Sequence, residues 1–280
     1  MTLVLTEVSK VGIVMAADSA ITYSVDSQGR PIEKQQKYWD KLIRVPSIKA
    51  AVSYWGIIGA VNKQFELWLK RVIEIGKQKS YYDLDSFADY LANSMNKACG
   101  DKPLAENQCV GVHVAGYTKW EDGERRPAFY HVHNGHLHME TEIETIDVNG
   151  QKILKAVHPK LVADPRKLFE KHKDFPKESE SLEANLRFLD IGYITRNGDY
   201  FVYAVLADHI ERAIGFINHI PGVSIPRDPS SLGSRKGYVH LMLETMVRIY
   251  ACSRMGRVIG GEVKSLAIGF NGYLSQAGKK

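Results

Sequence analysis

Cysteine is scarce in this chain: Cys99, Cys109 and Cys252 stand far apart in 280 residues, with no CxxC pair among them. An odd, dispersed set builds neither a disulfide framework nor a zinc ribbon, and it suits a reducing compartment. Long apolar runs are missing too, since no stretch approaches the ~18 consecutive apolar residues of a membrane-spanning helix. The N-terminal Leu3-Val4-Leu5 run is broken by Glu7, Ser9 and Lys10 and has no basic residue ahead of it. It does not read as a secretory signal, and a cytoplasmic location is expected. A large charge of one sign is also absent: 37 Lys and Arg against 32 Asp and Glu give a net charge of +5. The cations are scattered rather than gathered into the stripe that nucleic acid requires. Gly56 to Gly59 lacks the glycine set of a dinucleotide fingerprint, and the four tryptophans are not interleaved with basic residues on one strand. What remains is 44% hydrophobic and 25% charged, enough for a full globular core.

The periodicity predicts strands over 2–9 and 11–17, then an antiparallel pair over 42–45 and 49–54 turning through Pro46-Ser47. Gly56 is expected to open a long helix carrying Ile58, Val61, Phe65, Leu69 and Val72, and a second helix spans 83–99 with Asp83 or Asp85 as its cap. Strands follow at 109–117 and 127–133, and Asn134-Gly135 signals a two-residue hairpin into 136–146. The lysine-rich stretch 150–190 reads as an excursion with a short helix near 165–173. Helices near 199–217 and 235–252 flank the Pro/Ser-rich loop 221–234, and strands near 262–270 and 272–275 close the chain. This order fits an α+β fold, a four-layer αββα sandwich of two antiparallel sheets. A single domain over 1–280, with an insertion at about 150–195, is expected.

Thr2 directly follows Met1, and a small residue there permits removal of the methionine, leaving threonine with a free α-amine. A threonine hydroxyl attacks an amide only with a base at hand, and an α-amine with a pKa of roughly 7.7–8.0 can take its proton at neutral pH. Alone, a threonine at position two is an ordinary residue. Its neighbours change the reading. Thr2 followed by Gly12-Ile13-Val14-Met15-Ala16-Ala17-Asp18-Ser19-Ala20-Ile21-Thr22 resembles the opening of a proteasome β-subunit, an N-terminal nucleophile hydrolase. Lys41-Leu42-Ile43-Arg44-Val45, Ser53-Tyr54-Trp55-Gly56 and Gly260-Gly261-Glu262-Val263 resemble later motifs of that family. The likeness is strongest over 2–75 and absent over about 150–195.

The resemblance implies that Thr2 is the nucleophile, that Lys41 lowers the pKa of its hydroxyl, and that Asp18 holds the lysine. It further implies that the backbone N–H of Gly56, at a helix N-terminus, stabilises the oxyanion, and that the backbone of Thr22 pairs with an extended peptide. The family's supporting aspartate and serine fall near Gly256 and Ile259 here, with Ser253 able to substitute across a loop shift. The expected function is cleavage of peptide bonds in a homo-oligomeric ring or open assembly, with no required cofactor; an ATPase partner is left open. The alternative on the same fold is a catalytically inactive scaffold or binding protein.

His131, His133, His136 and His138 form a second pattern. A two-residue hairpin at Asn134-Gly135 would set His133 opposite His136 and His131 opposite His138, all on one face, where they could hold zinc or nickel. A metal-dependent hydrolase centred on them is the third reading; the plainer one is a polar hairpin tip.

Overall fold

A computed structural model describes residues 2–21, 37–77, 81–139, 145–148, 151–154, 159–164, 166–198, 209–210, 212–222, 230–252 and 259–274. Two five-stranded antiparallel sheets form its centre. Strands β1 (Leu3–Ser9) and β2 (Gly12–Asp18) are wholly buried, β-branched and joined by a tight turn, pairing from Val4↔Ala17 to Ser9↔Gly12. They occupy the middle of the first sheet, flanked by β14 (Tyr193–Gly198) on one side and by β15 (Val263–Gly269) and β16 (Gly272–Tyr273) on the other. The second sheet runs in the order β13 (Glu170–Phe175), β8 (Arg125–His133), β7 (Val110–Lys119), β6 (Ala50–Gly56) and β5 (Leu42–Val45), while β3 (Ala20–Ile21) pairs with β4 (Lys37–Tyr38) and β10 (Thr145–Val148) with β11 (Gln151–Leu154).

Alternation decides what each strand face meets. On β1, Leu3 and Leu5 point with Val14 and Ala16 into a cluster completed by Val239, Leu243 and Met246 of a long helix, Leu232–Cys252. Val8, with Ile13 and Met15, points the other way, onto Ala51, Ala115 and Phe129 of the second sheet. The outer face of that sheet carries Val52, Tyr54, Val112 and Val114, covered by α1 (Phe65–Gly76) and α2 (Leu84–Ala98). Asp83 caps α2 by accepting the Ser86 N–H at 2.8 Å, as expected of an acidic residue ahead of an apolar-periodic run. The layers are therefore helix, sheet, sheet, helix, the αββα sandwich. With α3 (Leu182–Ile191) in place, the helix 232–252 is α4.

Three local expectations are corrected. Gly56 ends strand β6 rather than opening a helix; a 3-10 turn at Ile58–Ala60 follows, and α1 starts at Phe65. The segment near 165–173 is not helical. Its latter half lies in β13, which pairs with β8 through His172↔His131 and Glu170↔His133. Pairing with an open sheet edge outweighs the helix propensity of a Lys-rich run, and the helix of this region is α3, which sends Leu182, Leu186 and Leu189 into the layer between the sheets. The Asn134-Gly135 hairpin does not form either. Both edges of β8 are already taken, by β7 and β13, and β9 (Gly135–Met139) pairs instead with β12 (Pro159–Ala163). Asn134 is committed elsewhere: its Oδ1 accepts the Val110 N–H at 2.9 Å, and its amide donates to the Gln108 carbonyl.

Candidate active site

Thr2, Asp18 and Lys41 come from the start of β1, the end of β2 and the residue preceding β5, and the packing of the two sheets brings them together. Lys41 Nζ lies 2.8 Å from Thr2 Oγ1 and 2.9 Å from Asp18 Oδ1, and it also donates to the Ala20 carbonyl. Three acceptors match the three protons of an ammonium, so the group is fully satisfied although the Lys41 and Asp18 side chains expose none of their surface. Burial pulls the Lys41 pKa below its ordinary value, opposed by the charge and hydrogen bond of Asp18.

Asp18 is held from three sides. Its Oδ1 also accepts the Leu3 N–H at 3.0 Å, and its Oδ2 accepts the Gly260 N–H at 3.0 Å. The Gly260 carbonyl in turn takes the N–H groups of Ser19 and Ala20 at 3.2 and 3.0 Å. Gly261 follows in a left-handed conformation, φ +75°, where a Cβ would come within 2.3 Å of Ser19 Oγ, the atom that accepts the Glu262 N–H. A side chain does not fit there. The Gly-Gly pair thus works as a backbone clamp on the Asp18 carboxylate. The sequence showed the glycines but not this contact, because a main-chain donor 242 residues away leaves no side-chain signature.

Gly56 is required for a similar reason. Its φ is +86° and an added Cβ would lie 2.1 Å from the Cys109 carbonyl oxygen. Gly56→Ala is expected to cost roughly 3 kcal/mol or more, through a left-handed backbone and a collision with rigid main chain; a urea midpoint unchanged from the parent would contradict this. Because Gly56 closes a strand, no helix N-terminus stands behind its N–H, and any oxyanion role there would rest on main-chain geometry without a helix dipole. The neighbouring Trp55 packs against Val4 and Ala17, tying this strand end to the strands that carry Thr2 and Asp18. Cys109 offers no rival nucleophile, since burial pushes its thiol up to about 12.

Thr22 and Ser253 lie outside the described residues. Ile259, near which the resemblance would place a serine, is 1% exposed among Val239, Met242 and Val263, so an apolar contact occupies that position. Of the four histidines, His131 and His133 lie side by side on β8, while His136 and His138 are on β9, opposite Val162 and Lys160 of β12. The unanticipated neighbours are His113 and His172, on the strands either side of β8: ring centroids are 5.1 Å apart for His113 and His131, 4.3 Å for His131 and His133, and 4.4 Å for His133 and His172. His113 Nδ1 is 2.8 Å from Thr6 Oγ1 and its Nε2 is 2.7 Å from Asn197 Oδ1, and Trp55 Nε1 donates to His131 Nε2 at 3.1 Å. With these nitrogens engaged, His113 and His131 act as buried hydrogen-bonding groups. Among the described residues no group of three or more His, Cys, Asp or Glu is arranged to hold a metal ion, and no helix is long and apolar enough to cross a membrane.

No family model and no curated protein matches this chain. Among solved structures, an Anbu mutant from Hyphomicrobium sp. strain MC1 is similar with a TM-score of 0.51 at 12% identity, over 96% of this chain and 82% of that one. Anbu, described as an ancestral beta-subunit, from Yersinia bercovieri gives a TM-score of 0.48 at 9% identity, over 95% and 80%. The αββα fold of two antiparallel five-stranded sheets is thus shared with the Anbu structure from Hyphomicrobium. At this identity the likeness extends to the fold alone.

Proposed function

We propose that this chain is a threonine-type N-terminal nucleophile hydrolase that cleaves peptide bonds once Met1 is removed, within a homo-oligomeric, proteasome-like assembly. The observation that carries the reading is the buried contact of Lys41 with both Thr2 Oγ1 and Asp18. In a sandwich of this size a lysine is rarely buried except to be paired, and here its third partner is a hydroxyl at the start of the chain. In the reaction, Thr2 Oγ attacks the scissile carbonyl and passes its proton to the freed α-amine of the same residue. Lys41 stabilises the negative charge gathering on Oγ. The tetrahedral intermediate collapses as the leaving amine takes the proton, giving an ester on Thr2, and a water activated by the same α-amine hydrolyses it. While Met1 is attached, the nitrogen of Thr2 is an amide and cannot act as this base.

The test is the intact mass of the cellular protein before and after treatment with a peptide epoxyketone, which reacts with a threonine hydroxyl and its free amine together. The expected result is loss of Met1 and one adduct per chain, abolished in Thr2→Ala. Retention of Met1 would overturn the proposal and leave the inactive scaffold, a reading that the apolar packing of Ile259 favours.

A further inference from the structure

The first sheet stops short on one side. β16 pairs with β15 only at Gly269↔Gly272 and Ile268↔Tyr273, and the Leu274 N–H adds one more bond, to the Ala267 carbonyl. That bond shows which way β15 faces. Alternate residues of a strand direct their main-chain groups to the same edge, so Ser265 and Val263, like Ala267, aim N–H and C=O away from β2. Among the described residues no strand meets them there. A cleft of about 690 Å³ opens along this edge, with Val263 to Leu266 as its floor. One wall is α4, through Gly233, Lys236, Gly237 and His240; the other is β5 and its approach, through Asp40, Leu42 and Arg44. An exposed strand edge between a helix and a second sheet has the cross-section of an extended chain.

The charges along the cleft are graded. Lys264 pairs with Asp40 at 3.5 Å, which neutralises the middle. Glu262 and the Ser19 side chain lie towards the Asp40 end, where a second hollow adjoins the cleft. Towards β16, Arg44 lies over the Tyr273 ring, 4.9 Å from its centroid, and among the described residues neither Arg44 nor Lys236 has a carboxylate partner. His240 lines the same wall one helical turn on from Lys236, and among the described residues its solvent-shielded Nδ1 has no hydrogen-bond partner. Uncompensated cations at one end of an open strand edge call for a ligand that is extended along its length and anionic at its tip.

We infer that this cleft binds an extended peptide by strand addition to β15, with the peptide's C-terminal carboxylate held by Arg44, Lys236 and His240. The carboxylate lies at the β16 end and the chain leads back towards Glu262, so the added strand runs parallel to β15. Four residues along Val263–Leu266 span about 13 Å, the length of a tetrapeptide. The inference does not depend on Thr2 chemistry; it describes recognition by the cleft whether or not the peptide is cut.

Fluorescence anisotropy on the full chain carrying Thr2→Ala tests it, using an amino-terminally fluorescein-labelled pentapeptide of alternating valine and threonine, once as the free acid and once as the C-terminal amide. The acid is expected to bind at least about tenfold more tightly, because the amide forfeits the charge-assisted hydrogen bonds. Arg44→Gln with Lys236→Gln should bring the acid down to the amide. Gly237→Leu supplies the blocking control: a Cβ there meets nothing within 4 Å, so the side chain grows into the cleft and improves the helix. It should abolish binding of both peptides while the melting temperature holds or rises. Equal binding of acid and amide, or undiminished binding by Gly237→Leu, would overturn the inference. So would a parent chain that takes up neither peptide while a chain ending at Leu274 takes up both, which would assign the cleft to residues 275–280.

Discussion

Lys41→Met is expected to lower kcat/KM by at least about 10³-fold on any peptide the parent hydrolyses, without displacing Thr2 or preventing loss of Met1. The physical reason is the position of the ammonium. It is the only cation within hydrogen-bonding distance of Thr2 Oγ1 among the described residues, and it sits in a buried setting where a charge acts more strongly than in water. Methionine keeps the length and apolar stem of lysine and removes the charge and three donors. A stability change accompanies the kinetic one: Asp18 would remain buried with two backbone N–H donors but no countercharge, at a cost of about 3 kcal/mol. The double change Lys41→Met with Asp18→Asn separates the two effects. It removes the stranded carboxylate while the asparagine oxygen can still accept one of the two backbone N–H groups, so the denaturation midpoint should recover in part while activity and the epoxyketone adduct do not. A Lys41→Met protein that still forms the adduct at the parent's rate would mean that the lysine serves packing and that Thr2 is activated otherwise.

Thr2, Asp18 and Lys41 were singled out in the sequence through the family resemblance, on motifs that border buried strands. Thr2 precedes one β-branched run, Asp18 ends another and Lys41 directly precedes Leu42–Val45, and the assembled sheets bring the three side chains into contact. The clamp on Asp18 was not legible, because its donor is a main-chain N–H and because Gly260 neighbours Asp18 only through the Val263↔Asp18 register of β15 on β2. The histidine pattern misled in an instructive way. Asn-Gly after a strand favours a two-residue turn only if the strand's edge is free to be doubled back upon. Here β7 and β13 take both edges, and β13 comes from a stretch whose charged residues hide its strand character until Lys171 is seen between Asp85 and Asp89 of α2, at 3.0 and 2.8 Å. Local signals lost to pairings that only the assembled sheet supplies.

The histidines nevertheless set the second large effect, a loss of at least about 3 kcal/mol of stability on going from pH 7 to about pH 4.5. His113 and His131 are buried between the sheets and His133 is partly buried. Burial is the main cause that lowers all three: His113 to about 4, His133 to about 3, and His131 well below the usual range, where repulsion from His133, His113 and His172 adds to it. In the unfolded chain each titrates near ~6.5. Between that value and the folded ones the unfolded state holds more protons, so stability falls as pH falls through this window. At about pH 4.5, His113 and His133 together cost about 5 kcal/mol. One group opposes them. Asp174, 3.7 Å from His131 Nδ1, is raised by burial to about 6, so it takes a proton in the folded state first and returns about 2 kcal/mol over the same interval. The histidines outnumber it, and the net sign is acid lability. Urea midpoints at the two pH values measure it, with Trp55 fluorescence as the local probe, since protonation of His131 Nε2 would remove the acceptor of the indole N–H. Replacing His133 with glutamine, which keeps polar capacity without titrating, should reduce the acid loss by about 2.5 kcal/mol. A protein equally stable at both pH values would show that water reaches these rings, and one more stable in acid would show that Asp174 governs the layer between the sheets.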